Sequence, residues 1–198
     1  PQMDPDTHIG QIEALVRLEH EWVPRLPGCS LYIRPVIIST EETLEVRVGR
    51  KFLHYIFLSP VGPYFPMGFN PVSVYISHEY VRAVRGGTGE AKTTANYAGT
   101  VHVAEQVRHL GYQQVLWLDA IERRYVEEVG AMNIMFVRDG KHIITPTLSG
   151  SILHGITRES VLQLGPDLGY TVSEEKIDVD EMLDDIEKGR ITEAFGVG

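Results

Sequence analysis

The chain has 198 residues, 43% of them apolar and 23% charged, which is ordinary for a globular chain and enough for one sizeable core or two small lobes. A net charge of −9 with no offsetting basic cluster argues against a nucleic-acid partner. A single cysteine, Cys29, excludes an intrachain disulfide and a cysteine-rich metal site. No apolar run approaches membrane-spanning length and no signal peptide is visible, so no membrane partner is expected. The expected location is cytoplasmic, or mitochondrial in a eukaryote.

In chain order, Ile9, Ile12, Leu15, Val16 and Leu18 recur at helical spacing and predict a helix over 8–23, stopped by Pro24. Leu31–Ile38 and Phe52–Leu58 are β-rich runs around a charged turn region and predict a pair of strands. Ser59–Pro71 holds four prolines and two glycines among aromatics, and is expected to be an irregular connection between lobes. A strand is predicted over Val72–Ile76, a helix over Asn96–Leu110, and strands over Gln114–Leu118 and Ala131–Val137. Asp139-Gly140 should turn a hairpin into a strand over His142–Thr145. The pattern closes with a helix from Thr157 to about Leu168, a strand over Thr171–Lys176, a helix over Asp180–Glu187 and a strand over Ile191–Phe195. Phe195–Gly198 reads as a glycine-rich loop. Mixed strands and helices indicate an α/β or α+β fold. The acidic stretch Asp178–Glu187 is read as a solvated helix face.

The chemistry concentrates in a few segments. Lys92 follows a glycine-rich run, Gly86-Gly87-Thr88-Gly89, whose glycines open conformations closed to residues with a Cβ. By itself this lysine reads as a solvated surface residue, although a neutral lysine amine condenses with aldehydes. Asn96-Tyr97 follows it, then Glu127-Glu128-Val129-Gly130-Ala131-Met132-Asn133, then Gly155-Ile156-Thr157-Arg158. The eight histidines show no metal-ligand spacing, and the glycine run lacks the spacing of a nucleotide phosphate loop.

Taken in that order, these motifs resemble the pyridoxal-phosphate enzymes of fold type IV. With the strand Ser30-Leu31-Tyr32-Ile33-Arg34-Pro35, the chain is similar to the branched-chain amino acid aminotransferases of the longer type, from about Trp22 to Gly198. The resemblance implies a small lobe over 1–58, an interlobe connection over 59–71 and a cofactor lobe over 72–198. It also implies the middle of a longer enzyme, and a homodimer acting on leucine, isoleucine or valine and 2-oxo acids with pyridoxal 5'-phosphate. Lys92 would hold the cofactor aldehyde and Glu128 its ring nitrogen, with adjacent Glu127 as the competing assignment. Tyr97 would meet the phenolic oxygen, and Ile156 and Thr157 the phosphate, where helix N-termini offer free N–H groups. The Thr157 hydroxyl is also expected to cap that helix. In the family the phosphate further meets an arginine upstream of Pro1 and a threonine beyond Gly198. Tyr32 and Arg34 alternate on one strand and share a face that would orient the substrate carboxylate, with Tyr64 as an aromatic wall. Ala131 stands where related animal enzymes often carry threonine. Rival readings are another fold-type IV enzyme (a D-amino acid aminotransferase or an aminodeoxychorismate lyase) and a non-catalytic interaction protein that keeps the fold.

Overall fold

A computed structural model describes residues 3–63, 68 and 70–198, and the chain divides into two compact units, Pro1–Asn70 and Pro71–Gly198. In the first unit, helix α1 spans Pro5–Leu18. It starts earlier than the apolar spacing suggests, because Asp4 accepts the Thr7 N–H as N-cap and Pro5 occupies the first turn. It also ends earlier, giving way to a short 3-10 turn over His20–Trp22. Strands β1 (Ser30–Ser39) and β2 (Phe52–Val61) pair antiparallel, from Ser30 opposite Val61 to Ser39 opposite Phe52. Strand β2 therefore runs through Ser59, Pro60 and Val61, which were expected to be irregular. In a two-stranded sheet each strand has a free edge, where a proline without N–H costs nothing.

The second unit is a seven-stranded mixed sheet with three helices. Its strands are β3 (Val74–Ser77), β4 (Gln114–Leu118), β5 (Val126–Val129), β6 (Met132–Arg138), β7 (His142–Pro146), β8 (Thr171–Glu175) and β9 (Ile191–Val197). They are ordered β3-β4-β5-β6-β7-β8, with β9 also pairing β6. The β3–β4 and β7–β8 pairs are parallel and the others antiparallel. Two differences from the sequence reading matter. The stretch Val126–Val129 forms β5, joined to β6 by the two-residue turn Gly130-Ala131, with Gly130 at φ 58°. The expected loop at Phe195–Gly198 is strand as far as Val197, because Val197 pairs with Asn133.

Helix α2 (Ala95–His109) packs on β4, burying Val103 and Val107 against Val115 and Trp117. Helix α3 (Ile156–Asp167) packs on β8 and α4 (Val179–Glu187) on β9. The larger core gathers Leu118, Val126, Ile134, Phe136, Ile144 and Met182 among others. The central strands β4, β5 and β6 thus have a dry layer behind them. Polar side chains on their other positions must find partners inside the protein.

Candidate active site

Strand β5 is buried along its whole length, including two carboxylates: Glu127 is 4% and Glu128 3% exposed. Successive side chains leave a strand on opposite faces, so the two serve different surroundings. Glu128 Oε1 accepts the Leu153 N–H at 2.9 Å and the Asn133 Nδ2–H at 3.4 Å. Its Oε2 lies 3.1 Å from Arg82 Nε, an ion pair without hydrogen-bond alignment. Burial pushes the Glu128 carboxyl up to about 7, and the Glu127 charge adds to the rise. Arg82, the Leu153 N–H and Lys92 work against it. Glu127 Oε1 instead accepts the Ser149 hydroxyl at 3.1 Å and the Ser151 hydroxyl.

Glu128 lines a small pocket together with Arg82, Gly89, Asn96, Tyr97 and Ala131. The loop before α2 forms one wall and is held by two devices. Asn96, 8% exposed on the first turn of α2, donates from Nδ2 to the carbonyls of Thr88 at 2.7 Å and Ala91 at 2.8 Å, while its Oδ1 accepts the Thr88 hydroxyl. Gly89 lies so close to Ser151 that a Cβ would overlap the Ser151 carbonyl. Of the glycines in this run only Gly86, at φ 82°, needs the left-handed region. Lys92 sits on this anchored loop, exposed, with Nζ 5.8 Å from the centroid of the Tyr97 ring. The structure therefore brings Lys92, Tyr97 and Glu128 to one corner.

Helix α3 begins beside the same corner. Its N-cap is Gly155, where a Cβ would overlap Asn133 Oδ1, and no side chain caps the helix. The expected cap by Thr157 is thus not formed: glycine takes the cap because nothing larger fits against Asn133. Asn133 also donates to the Leu153 carbonyl at 2.9 Å, so one buried amide ties Glu128 to the approach of α3. Ile156 and Thr157 are exposed on the first turn and are not part of the pocket wall. Arg158, buried, holds α3 by donating to the Pro146 carbonyl at 3.0 Å and pairing with Glu174 at 3.1 Å.

In the first unit, Arg34 Nη2 donates to the Tyr32 hydroxyl at 2.5 Å and the guanidinium lies 4.9 Å from the Tyr32 ring centroid. The two side chains share a face of β1, as their alternation predicts. Tyr64 lies outside the described residues. Arg82, Asn133, Ser151 and Leu153 were absent from the sequence-based set. Only Asn133 carried a signal, as the last residue of the Glu-Val-Gly-x-Met-Asn motif.

Known proteins bear on these residues. Residues 3–192 match the amino-transferase class IV family. Branched-chain-amino-acid transaminase 1 of Bacillus subtilis is 49% identical over 199 residues, covering 100% of this chain and 56% of the relative. The chain thus spans about half the length of the curated relatives it matches. A crystal structure of the Escherichia coli branched-chain amino acid aminotransferase shares the fold, with TM-score 0.77 at 24% identity over 100% of this chain and 60% of that one. The branched-chain aminotransferase of Thermoproteus uzoniensis, crystallised with norvaline, gives TM-score 0.68 at 29% identity over 85% and 53%. The fold is that of the type IV aminotransferases, a mixed α/β architecture. The family match spans both units of the chain, which belongs to the class IV aminotransferases.

Proposed function

We propose that the protein is a pyridoxal-5'-phosphate-dependent aminotransferase that moves the amino group of leucine, isoleucine or valine to 2-oxoglutarate. The observation that carries this reading is that Tyr97 and Glu128 line one pocket with Lys92 beside Tyr97 at its edge, in a chain 49% identical throughout to a branched-chain transaminase. The residues fit the cofactor. Buried Glu128 offers a carboxylate to a ring N–H, and its proton affinity near neutral suits a shared proton. Close packing at Gly89 and Gly155 places backbone where a side chain would intrude.

When bound, pyridoxal phosphate supplies an aldehyde and an electron-accepting ring. Lys92 holds that aldehyde and afterwards moves a proton at the substrate α-carbon. Glu128 holds the proton at the ring nitrogen, and Arg82 with the Leu153 N–H keeps its carboxylate oriented. Tyr97, whose ring lies beside Lys92 Nζ, donates to the phenolic oxygen. The first turn of α3, at Ile156 and Thr157, offers N–H groups to the phosphate. Tyr32 and Arg34, already bonded to each other, orient the substrate carboxylate, with Tyr64 as a wall of its side-chain pocket. In this reading, the small lobe extends through β2 to Val61, 62–71 belongs to the connection and 72–198 to the cofactor lobe. A division at Asn70/Pro71 supports it. The protein acts as a homodimer in the cytoplasm; no helix among the described residues is long and apolar enough to cross a membrane.

Formation of glutamate from leucine and 2-oxoglutarate by the full-length protein tests the assignment. Turnover with leucine, isoleucine and valine, and none with D-alanine, is expected. Preference for a D-amino acid, or no transamination by cofactor-loaded protein, would overturn it.

A further inference from the structure

The segment that leads into α3, Leu153 to Gly155, is tied to the β5–β6 hairpin by one side chain. Asn133 lies opposite Glu128 in that strand pair, so the two side chains stand next to each other on one face of the sheet. The tight turn at Gly130-Ala131 fixes their register. Asn133 is 5% exposed, and its Nδ2 donates to Glu128 Oε1 at 3.4 Å and to the Leu153 carbonyl at 2.9 Å. The Leu153 N–H closes the triangle by donating to Glu128 Oε1 at 2.9 Å. Asn133 Oδ1 meanwhile abuts Gly155, the N-cap of α3, so closely that a Cβ there would overlap it. The body of α3 is held by other groups, through Arg158 to the Pro146 carbonyl and Glu174. Asn133 therefore governs the offset between the Glu128 carboxylate and the first turn of α3, while each is anchored independently.

We propose that Asn133 is a positioning residue that sets the span of the cofactor site: it fixes the separation between the carboxylate that takes the ring nitrogen and the helix N-terminus that takes the phosphate. The inference rests on the reading of Glu128 and of Ile156 and Thr157 as those two ends. Ring and phosphate are joined by a short covalent arm, so both ends are met at once only at one separation. An amide suits this task, because its NH2 carries two donors for two acceptors while its oxygen packs on Gly155. An aliphatic residue of similar size would leave the Leu153 carbonyl and one Glu128 lone pair without that donor, and 153–155 would be free to shift. Preorganisation of this kind raises affinity for the whole ligand without adding a contact to it. Asn133 is not one of the residues that line the pocket, so its effect passes through Glu128 and α3.

The test titrates three probes into the full-length enzyme stripped of cofactor: pyridoxal 5'-phosphate, 5'-deoxypyridoxal, which lacks the phosphate, and inorganic phosphate. Asn133→Ala removes both donors. Asn133→Thr suits a strand but carries a single hydroxyl donor, which cannot serve both acceptors. In each variant the two fragments should bind within about twofold of wild type while pyridoxal phosphate loses about tenfold, since only the joined molecule must meet both ends together. Equal losses for all three probes would make Asn133 merely structural and overturn the proposal. So would a loss shared by pyridoxal phosphate and only one fragment, which places the role at one end alone, or an unchanged affinity for pyridoxal phosphate. Ile156→Pro separates the two levels. It deletes an N–H of the first turn at a position that tolerates proline, after a Gly155 that is already extended. If it weakens phosphate and pyridoxal phosphate together while the Asn133 variants behave as wild type, only this inference fails. If it weakens neither, the placement of the phosphate at α3 fails too.

Discussion

Glu127 and Glu128 are chain neighbours on β5, both less than 5% exposed, and they share no hydrogen-bond partner: Ser149 and Ser151 bind one, Leu153 and Asn133 the other. Arg82 connects the two environments, through the Ser151 carbonyl on one side and the Glu128 carboxylate on the other. The pleat of a single strand thereby separates a carboxylate that faces the candidate cofactor pocket from one held by two serine hydroxyls on the other side.

The first prediction concerns stability. Glu128 has its carboxyl raised from 4.5 to about 7, chiefly by burial, so the folded protein binds a proton there more tightly than the unfolded chain. Linkage then makes stability fall as pH rises from 4.5 through 7, by about 3 kcal/mol in total. Glu128→Gln lacks this penalty. Urea unfolding of cofactor-free protein should show the variant gaining on the wild type between those pH values. A pH-independent difference would contradict the raised carboxyl.

Activity should move the other way. Glu128→Gln is expected to keep cofactor but slow transamination by orders of magnitude, because the ring loses the group that holds its proton. Glu127→Gln should cost far less. Single-turnover rates with leucine measure both, and equal losses would remove the basis for distinguishing the neighbours.

Lys92 is the residue expected to carry the cofactor. Borohydride reduction of the loaded full-length enzyme, followed by peptide mapping, should place the pyridoxyl label on Lys92, and Lys92→Ala should abolish turnover. Label on another lysine would move the site elsewhere.

Gly89 and Gly99 make a matched pair. A Cβ at Gly89 meets the Ser151 backbone, so Gly89→Ala should displace the loop that carries Lys92 and destabilise by roughly 1–3 kcal/mol. Gly99 lies exposed within α2 with nothing within 4 Å of its would-be Cβ. Gly99→Ala should be neutral or stabilise by up to about 1 kcal/mol. Thermal unfolding and cofactor retention of the two variants should diverge in these opposite senses.

Asp119 anchors the turn between β4 and β5, accepting the N–H groups of Ile121, Glu122, Arg124 and Tyr125. Burial would raise its carboxyl, but these four donors win and hold it at about 2. The stabilisation is present above its ordinary value of 3.8 and is lost as pH falls toward 2. Asp119→Ala should therefore cost about 2 kcal/mol at pH 7, and the difference should shrink in acid. A constant difference across that range would show that the carboxylate charge contributes nothing.

Much of this architecture follows from local rules. β-rich and apolar runs locate β4 over Gln114–Leu118 and the β1–β2 pair, and helical spacing places α2 and α3 within a residue of their observed bounds. The alternation of side chains along a strand also put Tyr32 with Arg34 on one face. These features depend on residues a few positions apart, whose geometry the backbone repeats. What the sequence by itself did not determine depends on closures across long stretches of chain. Arg82 meets Ser151 across 69 positions, and Leu153 meets Glu128 across 25. No periodicity marks an arginine that will be buried, or a serine carbonyl that will receive it. Likewise β5 exists because β4 and β6 pair on either side of it, and Val197 is strand because Asn133 lies opposite. Pairing and burial are set by which surfaces pack. Only the tertiary structure could therefore decide which carboxylate faces the pocket, which cation balances it, and why Gly155 rather than Thr157 starts α3.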